Sequence, residues 1–193
     1  MDIFAHGLWA GAAGIAANQK LKKPLRLRWM VAWGMFPDLF AFTATFLVLI
    51  WLRLFGGSSA PRGIFSRALS DALPPFLQPD RLYPFSHSLL IFGLVFGAVW
   101  LLWRRPALVM LGWSLHILMD IPSHRAGRYG TPFLWPLSSY RFNGVSWGQH
   151  WFFVLNYAAL TAVCVALLVW LLMSRRRERQ SSPTQGAQDR PEA

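Results

Sequence analysis

The chain has 193 residues, of which 54% are hydrophobic, 16% aromatic and only 14% charged. A soluble domain usually carries about 25% charged residues, so a mean hydropathy of +0.34 argues against an aqueous fold and for a surface that faces lipid. A formal charge of +11 on a soluble protein would suggest nucleic acid, but here the basic residues sit in short runs between apolar segments. Topology accounts for them, and no nucleic-acid partner is expected.

Taken in chain order, residues 3–18 are apolar and rich in Gly and Ala, which suits a helix packed closely against others. A signal peptide is the weaker reading of this segment, because it lacks a basic leading region and already contains His6. Gly7 with Gly11, and Gly93 with Gly97, form small-residue pairs that favour close helix packing. Residues 36–54 make a second apolar run, broken near its start by Pro37 and Asp38. Residues 85–103 and 150–173 are the clearest spans, since a bilayer core needs about 20 mostly apolar residues. Residues 106–120 are shorter and end before Pro122. Cys164, the single cysteine, lies in an apolar run, which excludes an intrachain disulfide and a Cys-based zinc site.

These segments predict an all-α integral-membrane bundle of four to five transmembrane helices over residues 1–173. A disordered polar and basic cytoplasmic tail is expected over 174–193. With five spans, one side collects Lys20, Lys22, Lys23, Arg26, Arg28, Arg104, Arg105, Arg175, Arg176, Arg177, Arg179 and Arg190. The other holds Arg53, Arg62, Arg67, Arg81, Arg125, Arg128 and Arg141. The bias puts the first side, and with it the C-terminus, in the cytoplasm of a multi-pass inner-membrane protein. The run from Arg175 to Arg179 is expected to contact anionic headgroups.

Before the tail the chain holds five His and five Asp but no Glu. In the five-span arrangement His6, His87, His116, Asp120 and His150 fall at the non-cytoplasmic ends of their helices, and Asp38 can turn toward them at Pro37. Ionisable groups at membrane depth are costly unless paired or ligated, so their convergence points to a metal ion. His116 and Asp120, spaced i, i+4, share one helix face and can reach one ion, although such a pair can also simply hydrogen-bond. Ser86 is a candidate N-cap that would put His87 in the first turn of a helix, and Asp38 is a candidate N-cap as well as a ligand. His124 and His150, each beside a loop, are weaker candidates. The loop over residues 123–148, rich in Pro and aromatic residues, can cover the site, and Arg125, Arg128 and Arg141 can pair with phosphate.

The set His6, Pro37-Asp38, Ser86-His87-Ser88, His116-Ile117-Leu118-Met119-Asp120 and Thr131-Pro132-Phe133-Leu134-Trp135-Pro136-Leu137-Ser138 resembles the YdjM-like membrane-bound metal-dependent hydrolases over most of residues 1–150. The order His, Asp, His, His-x-x-x-Asp is also similar to that of the zinc-dependent phospholipases C and the P1-type nucleases. The resemblance implies that His6, Asp38, His87, His116 and Asp120 are metal ligands, that Asp120 can bridge two ions, and that a metal-activated water hydrolyses a phosphoester. Two departures stand out. Leu82 and Tyr83 replace an additional His and Arg that many YdjM-like members carry, while Arg81 is kept. No Glu is available to complete a third metal site, so one or two ions are expected.

The first expectation is therefore a membrane hydrolase with Asp38, His116 and Asp120 in catalysis, Zn as the metal with Mn or Fe as alternatives, and a small-molecule or lipid phosphoester as substrate. Membrane lipids are its expected surroundings. A small transporter or ion-binding protein using the same cluster is the rival reading, and a structural membrane protein with scattered interfacial His is the third.

Overall fold

A computed structural model describes residues 1–55 and 66–181. Arg62, Arg190 and the tail from residue 182 onward lie outside the described residues. The described chain is helical without a strand: α1 (Ile3–Asn18), α2 (Leu27–Phe55), α3 (Arg67–Asp71), α4 (Pro79–Ser86), α5 (Leu89–Trp103), α6 (Leu111–Ser123) and α7 (His150–Ser181). Short 3-10 turns at Pro75–Leu77 and Leu108–Met110 precede α4 and α6.

Helix α2 is the hub, with α1, α4 and α6 packed against it and α7 against α1. Small residues allow the close approach. A methyl group at Gly7 would lie 2.8 Å from Met35 Cγ, and one at Gly11 would lie 3.1 Å from Val31 Cγ2. Gly93 and Gly97 behave otherwise: both face open space, so that pair packs no helix among the described residues. Helix α1 starts at Asp2, whose carboxylate accepts from the Phe4 and Ala5 amides. The turn into α2 is closed by Asn18, which donates to the Leu25 carbonyl at 3.0 Å and accepts from the Leu25 amide at 2.6 Å.

Two helices are long and apolar enough to cross a membrane, Leu27–Phe55 and His150–Arg177. Helices α4 and α5 qualify only together, as one span bent by 60°, and the apolar stretch Leu108–Ser123 is shorter. The described helices thus include two able to span a membrane, or three if the bent pair is one span, where the apolar runs alone predicted four to five. Their faces suit lipid: Leu94, Leu101 and Leu102 of α5 are 70%, 73% and 79% exposed, and α7 leaves Trp151, Leu155, Leu168 and Met173 uncovered. Apolar surface on this scale has no place in water.

Three local expectations are corrected. Pro37 does not break its segment, because α2 runs unbroken from Leu27 to Phe55 with Pro37 buried inside it. Proline costs a helix one hydrogen bond and a clash, a cost that packing on neighbouring helices offsets here as it does in membrane helices. Asp38 consequently sits in mid-helix and caps nothing. Ser86 ends α4 rather than starting a helix, and Ser88 is the N-cap of α5, accepting from the Leu90 and Ile91 amides. His87 therefore occupies the break between two helices. Finally, α7 continues through Ser181, beyond the Ser174 boundary at which the polar tail was expected to begin.

Candidate metal centre

Three elements and one break carry the ligands. On α2, Met30, Gly34, Asp38, Phe42 and Phe46 recur every four residues and so line one stripe. Gly34 is the pivot of that stripe. A methyl group there would lie 2.6 Å from Ala10 Cβ and 2.9 Å from the His6 carbonyl, so only glycine lets α1 come this close. Gly112 does the same for α6, where a methyl group would lie 2.5 Å from the Met30 carbonyl. The two contacts bring His6 and His116 to the level of Asp38.

The orientation of each imidazole follows from its backbone partner. His116 Nδ1 lies 2.7 Å from the Gly34 carbonyl and donates to it. His87 Nδ1 lies 3.2 Å from the Tyr83 carbonyl and 2.9 Å from Ser86 Oγ. With Nδ1 of each ring engaged as donor, each Nε2 presents a lone pair. The break at His87 is itself fastened: Trp113 Nε1 donates to the Ser86 carbonyl at 2.6 Å, Ser88 Oγ to the Trp135 carbonyl at 2.5 Å, and the Leu89 amide to the Phe133 carbonyl at 3.0 Å. Tyr83 stacks on His87 with ring centroids 3.7 Å apart.

Four of the expected ligands converge. Asp38, His87, His116 and Asp120 each offer one atom, and these atoms lie within 4.8 Å of one another. The two Nε2 atoms are 3.2 Å apart. His87 Nε2 is 3.5 Å from Asp38 Oδ1 and 3.5 Å from Asp120 Oδ2, while His116 Nε2 is 3.8 Å and 3.2 Å from the same atoms. A tetrahedral ion with N and O ligands at 2.0–2.2 Å has edges of about 3.4 Å. All five distances lie close to that edge. Asp120 Oδ2 is buried with no hydrogen-bond partner, which leaves this oxygen available to a cation. Two lone pairs and two carboxylates facing one point suit a divalent cation.

His6 stands on the other side of Asp120. Its Nε2 is 2.9 Å from Asp120 Oδ1 without the alignment of a hydrogen bond, and its ring stacks on His116 at 3.6 Å. Both His6 nitrogens are buried without a hydrogen-bond partner. His124 Nδ1 lies 3.3 Å from the same Oδ1, and the Met1 amino group 2.6 Å. The two carboxylate oxygens of Asp120 thus serve two groups of partners.

His150 is exposed at the start of α7 and away from the cluster. Arg141 donates to the Gly127 carbonyl at 2.7 Å. Arg128 forms a two-pronged ion pair with Asp80, which raises its guanidinium above the ordinary value, and burial pushes the Tyr129 phenol up to about 12. Both groups keep their protons at neutral pH. Of the residues that position the ligands, Gly34 and Trp113 were not singled out from the sequence, and Tyr83 stood out only as a departure from the YdjM-like pattern. A glycine and two aromatic residues carry no signal of that role until the helices are placed.

A cavity of about 610 Å³ opens on the cluster. Asp2, Asp38, His124, Arg128 and Ser146 give it polar groups, and Ile3, Phe42, Phe46, Tyr83, Tyr129 and Trp147 supply its apolar walls. The loop over residues 123–148 reaches it through Arg128, Tyr129 and Ser146 to Gly148.

No family model, no curated protein and no solved structure matches this chain.

Proposed function

We propose that the protein is a membrane-bound, metal-dependent hydrolase that acts on a phosphoester. The observation that carries this reading is the set of five ligand-to-ligand distances between 3.2 and 3.8 Å around two imidazole lone pairs and two carboxylates. His87, His116, Asp38 and Asp120 would hold a divalent ion, with Zn the best match to this donor set and Mn or Fe next. Such an ion supplies Lewis acidity and lowers the pKa of a water molecule. His6 and His124 flank Asp120 Oδ1, where the Met1 amino group at 2.6 Å already supplies a positive charge. Asp38, the ligand that lines the cavity, would meet the substrate. The order of these residues supports placing the chain beside the YdjM-like hydrolases.

The transporter reading fares less well. Toward Gly34 the stripe on α2 is closed by Ala10, the His6 backbone and Gly112, so the cluster opens on the Phe42 and Phe46 side. A site open at one end suits a reaction centre better than a path through the membrane. The inner-membrane location with the C-terminus in the cytoplasm rests on the basic residues at the Arg175 end of α7.

Elemental analysis of detergent-purified protein tests the reading, with wild type beside a His116→Ala, Asp120→Ala double variant. One or two equivalents of metal, lost in the variant together with hydrolysis of p-nitrophenyl phosphate, are expected. Wild type that takes up no metal on reconstitution overturns it.

A further inference from the structure

We infer that the ligand of this site is an amphiphile with a terminal phosphate monoester and an apolar chain, drawn from the membrane leaflet farther from Arg175. This inference rests on the hydrolase reading and adds the class of substrate to it. Three features of the cavity carry it.

The first is where the cavity ends. Along α2 it begins at Asp38 and runs past Phe42 to Phe46, a rise of about 12 Å over eight residues. On the Gly34 side it is stopped by contacts so tight that a single added methyl group would overlap Ala10. A group that reaches the cluster must therefore be the end of its molecule. A terminal phosphate fits that demand, whereas a diester with two bulky arms does not.

The second is the wall. The atoms next to the reactive end would lie between Phe42, Phe46, Tyr83, Tyr129 and Trp147, and these rings offer an alkyl chain its best surface. The Tyr83 hydroxyl already donates to the Tyr129 carbonyl at 2.9 Å, so it is committed to the fold.

The third is depth. Tyr157 of α7 donates to Asp2 at 2.9 Å and Trp9 of α1 donates to Asn156 at 3.0 Å, which fixes the level of the cluster on α7. From Tyr157 the apolar stretch continues sixteen residues to Met173, about 24 Å, before the run Arg175 to Arg177. In a hydrocarbon core of about 30 Å the cluster lies within the far leaflet, just below its headgroups. A lipid of that leaflet can bring its terminal phosphate to the cluster with its chain in the cavity.

The reaction balances without a co-reactant. The oxygen of water bonds to phosphorus, the bridging P–O bond breaks, and the two protons of water end on the released alcohol and on inorganic phosphate. Nothing is oxidised or reduced.

The test measures binding of n-alkylphosphonates from ethyl to octyl to the metal-loaded full chain in lipid nanodiscs, by calorimetry. Beside it runs turnover of the matching n-alkyl phosphates. Affinity should rise by up to about fourfold per methylene. Phe46→Trp, which shortens the cavity, should make the series level off at a shorter chain. Phe46→Ser, which makes the wall polar, gives a second test by flattening the series, and the metal content of each variant reports whether the cluster survives. Partition into the lipid is common to all variants, so their difference isolates the cavity. Equal affinity along the series, or the same slope in both variants, overturns the inference even if p-nitrophenyl phosphate is hydrolysed. A chain-length dependence abolished by Phe46→Ser, with no turnover of any alkyl phosphate, keeps the ligand class and overturns the hydrolase reading instead.

Discussion

His87 Nε2 and His116 Nε2 face each other at 3.2 Å, while the Nδ1 atoms of both rings are engaged by the carbonyls of Tyr83 and Gly34. Two lone pairs at that distance repel unless a proton or a cation lies between them. The carboxylates of Asp38 and Asp120 on the same point tip the choice toward a cation of higher charge. His87 lies where α4 bends against α5 by 60°, and from that break its ring meets the one carried by α6.

Removal of the ion should therefore loosen the bundle. Chelation is expected to lower the midpoint of thermal unfolding, and added zinc to restore it. A ligand present at 100 times its Kd stabilises the folded state by about 2.7 kcal/mol. Acid should act in the same direction, because protons compete for the imidazoles and carboxylates that bind the ion. Thermal scans with and without chelator check this, and identical midpoints would count against a metal at this site.

Gly34→Ala should affect the fold and the site together. The added methyl group meets Ala10 and the His6 carbonyl, an overpacking that costs about 1–3 kcal/mol. The same shift moves the carbonyl that orients His116, and loss of such an outer partner typically costs 10–100-fold in metal affinity. A thermal scan and a metal titration on one sample measure both. A variant with lowered stability but full affinity would show that the Gly34 carbonyl does not position His116.

Much of the site could be read from the chain, and much of its scaffold could not. His116 and Asp120 were legible because i, i+4 spacing is a property of any helix, and His87 because a polar Ser-His-Ser triplet opens a long apolar run. The positions of Pro37 and Ser86 misled for a common reason. Local propensity reads proline as a break and serine as a cap, but tertiary contacts with α1, α6 and the loop at Phe133 decide which peptide groups need a partner. The count of four to five spans included two short segments, and α1 with 16 residues and α6 with 13 both fall below the roughly 20 that a bilayer core needs. Gly34 was silent because its role depends on two other helices.

Ser88→Ala tests the fastening of the broken segment. Ser88 caps α5 through the Leu90 and Ile91 amides and also donates to the Trp135 carbonyl, so the variant loses all three bonds. A lost N-cap costs about 1 kcal/mol, and a buried carbonyl left without a donor adds a further 1–3 kcal/mol. Unfolding should come at lower temperature while the metal content stays near that of wild type, because Ser88 touches no ligand atom. Elemental analysis after mild heating checks both halves, and loss of metal at low temperature would mean that the cap also holds His87 in place.

Asp38 and Asp120 should differ in what their amides do. Asp120 is 1% exposed and meets His6, His87, His116 and His124, whereas Asp38 is 15% exposed and lines the cavity. Asp120→Asn removes the charge on which both groups of partners depend, so the ion should be lost along with activity. Asp38→Asn keeps an oxygen within reach of the ion and leaves the three more buried ligands untouched, so metal should remain at reduced affinity. Its hydrolysis should nevertheless fall by about a hundredfold or more, the scale on which a positioned acid or base contributes. The comparison separates a reaction centre from a structural ion. If both variants lose metal alike and neither changes turnover, the ion braces the bundle and the chemistry lies elsewhere.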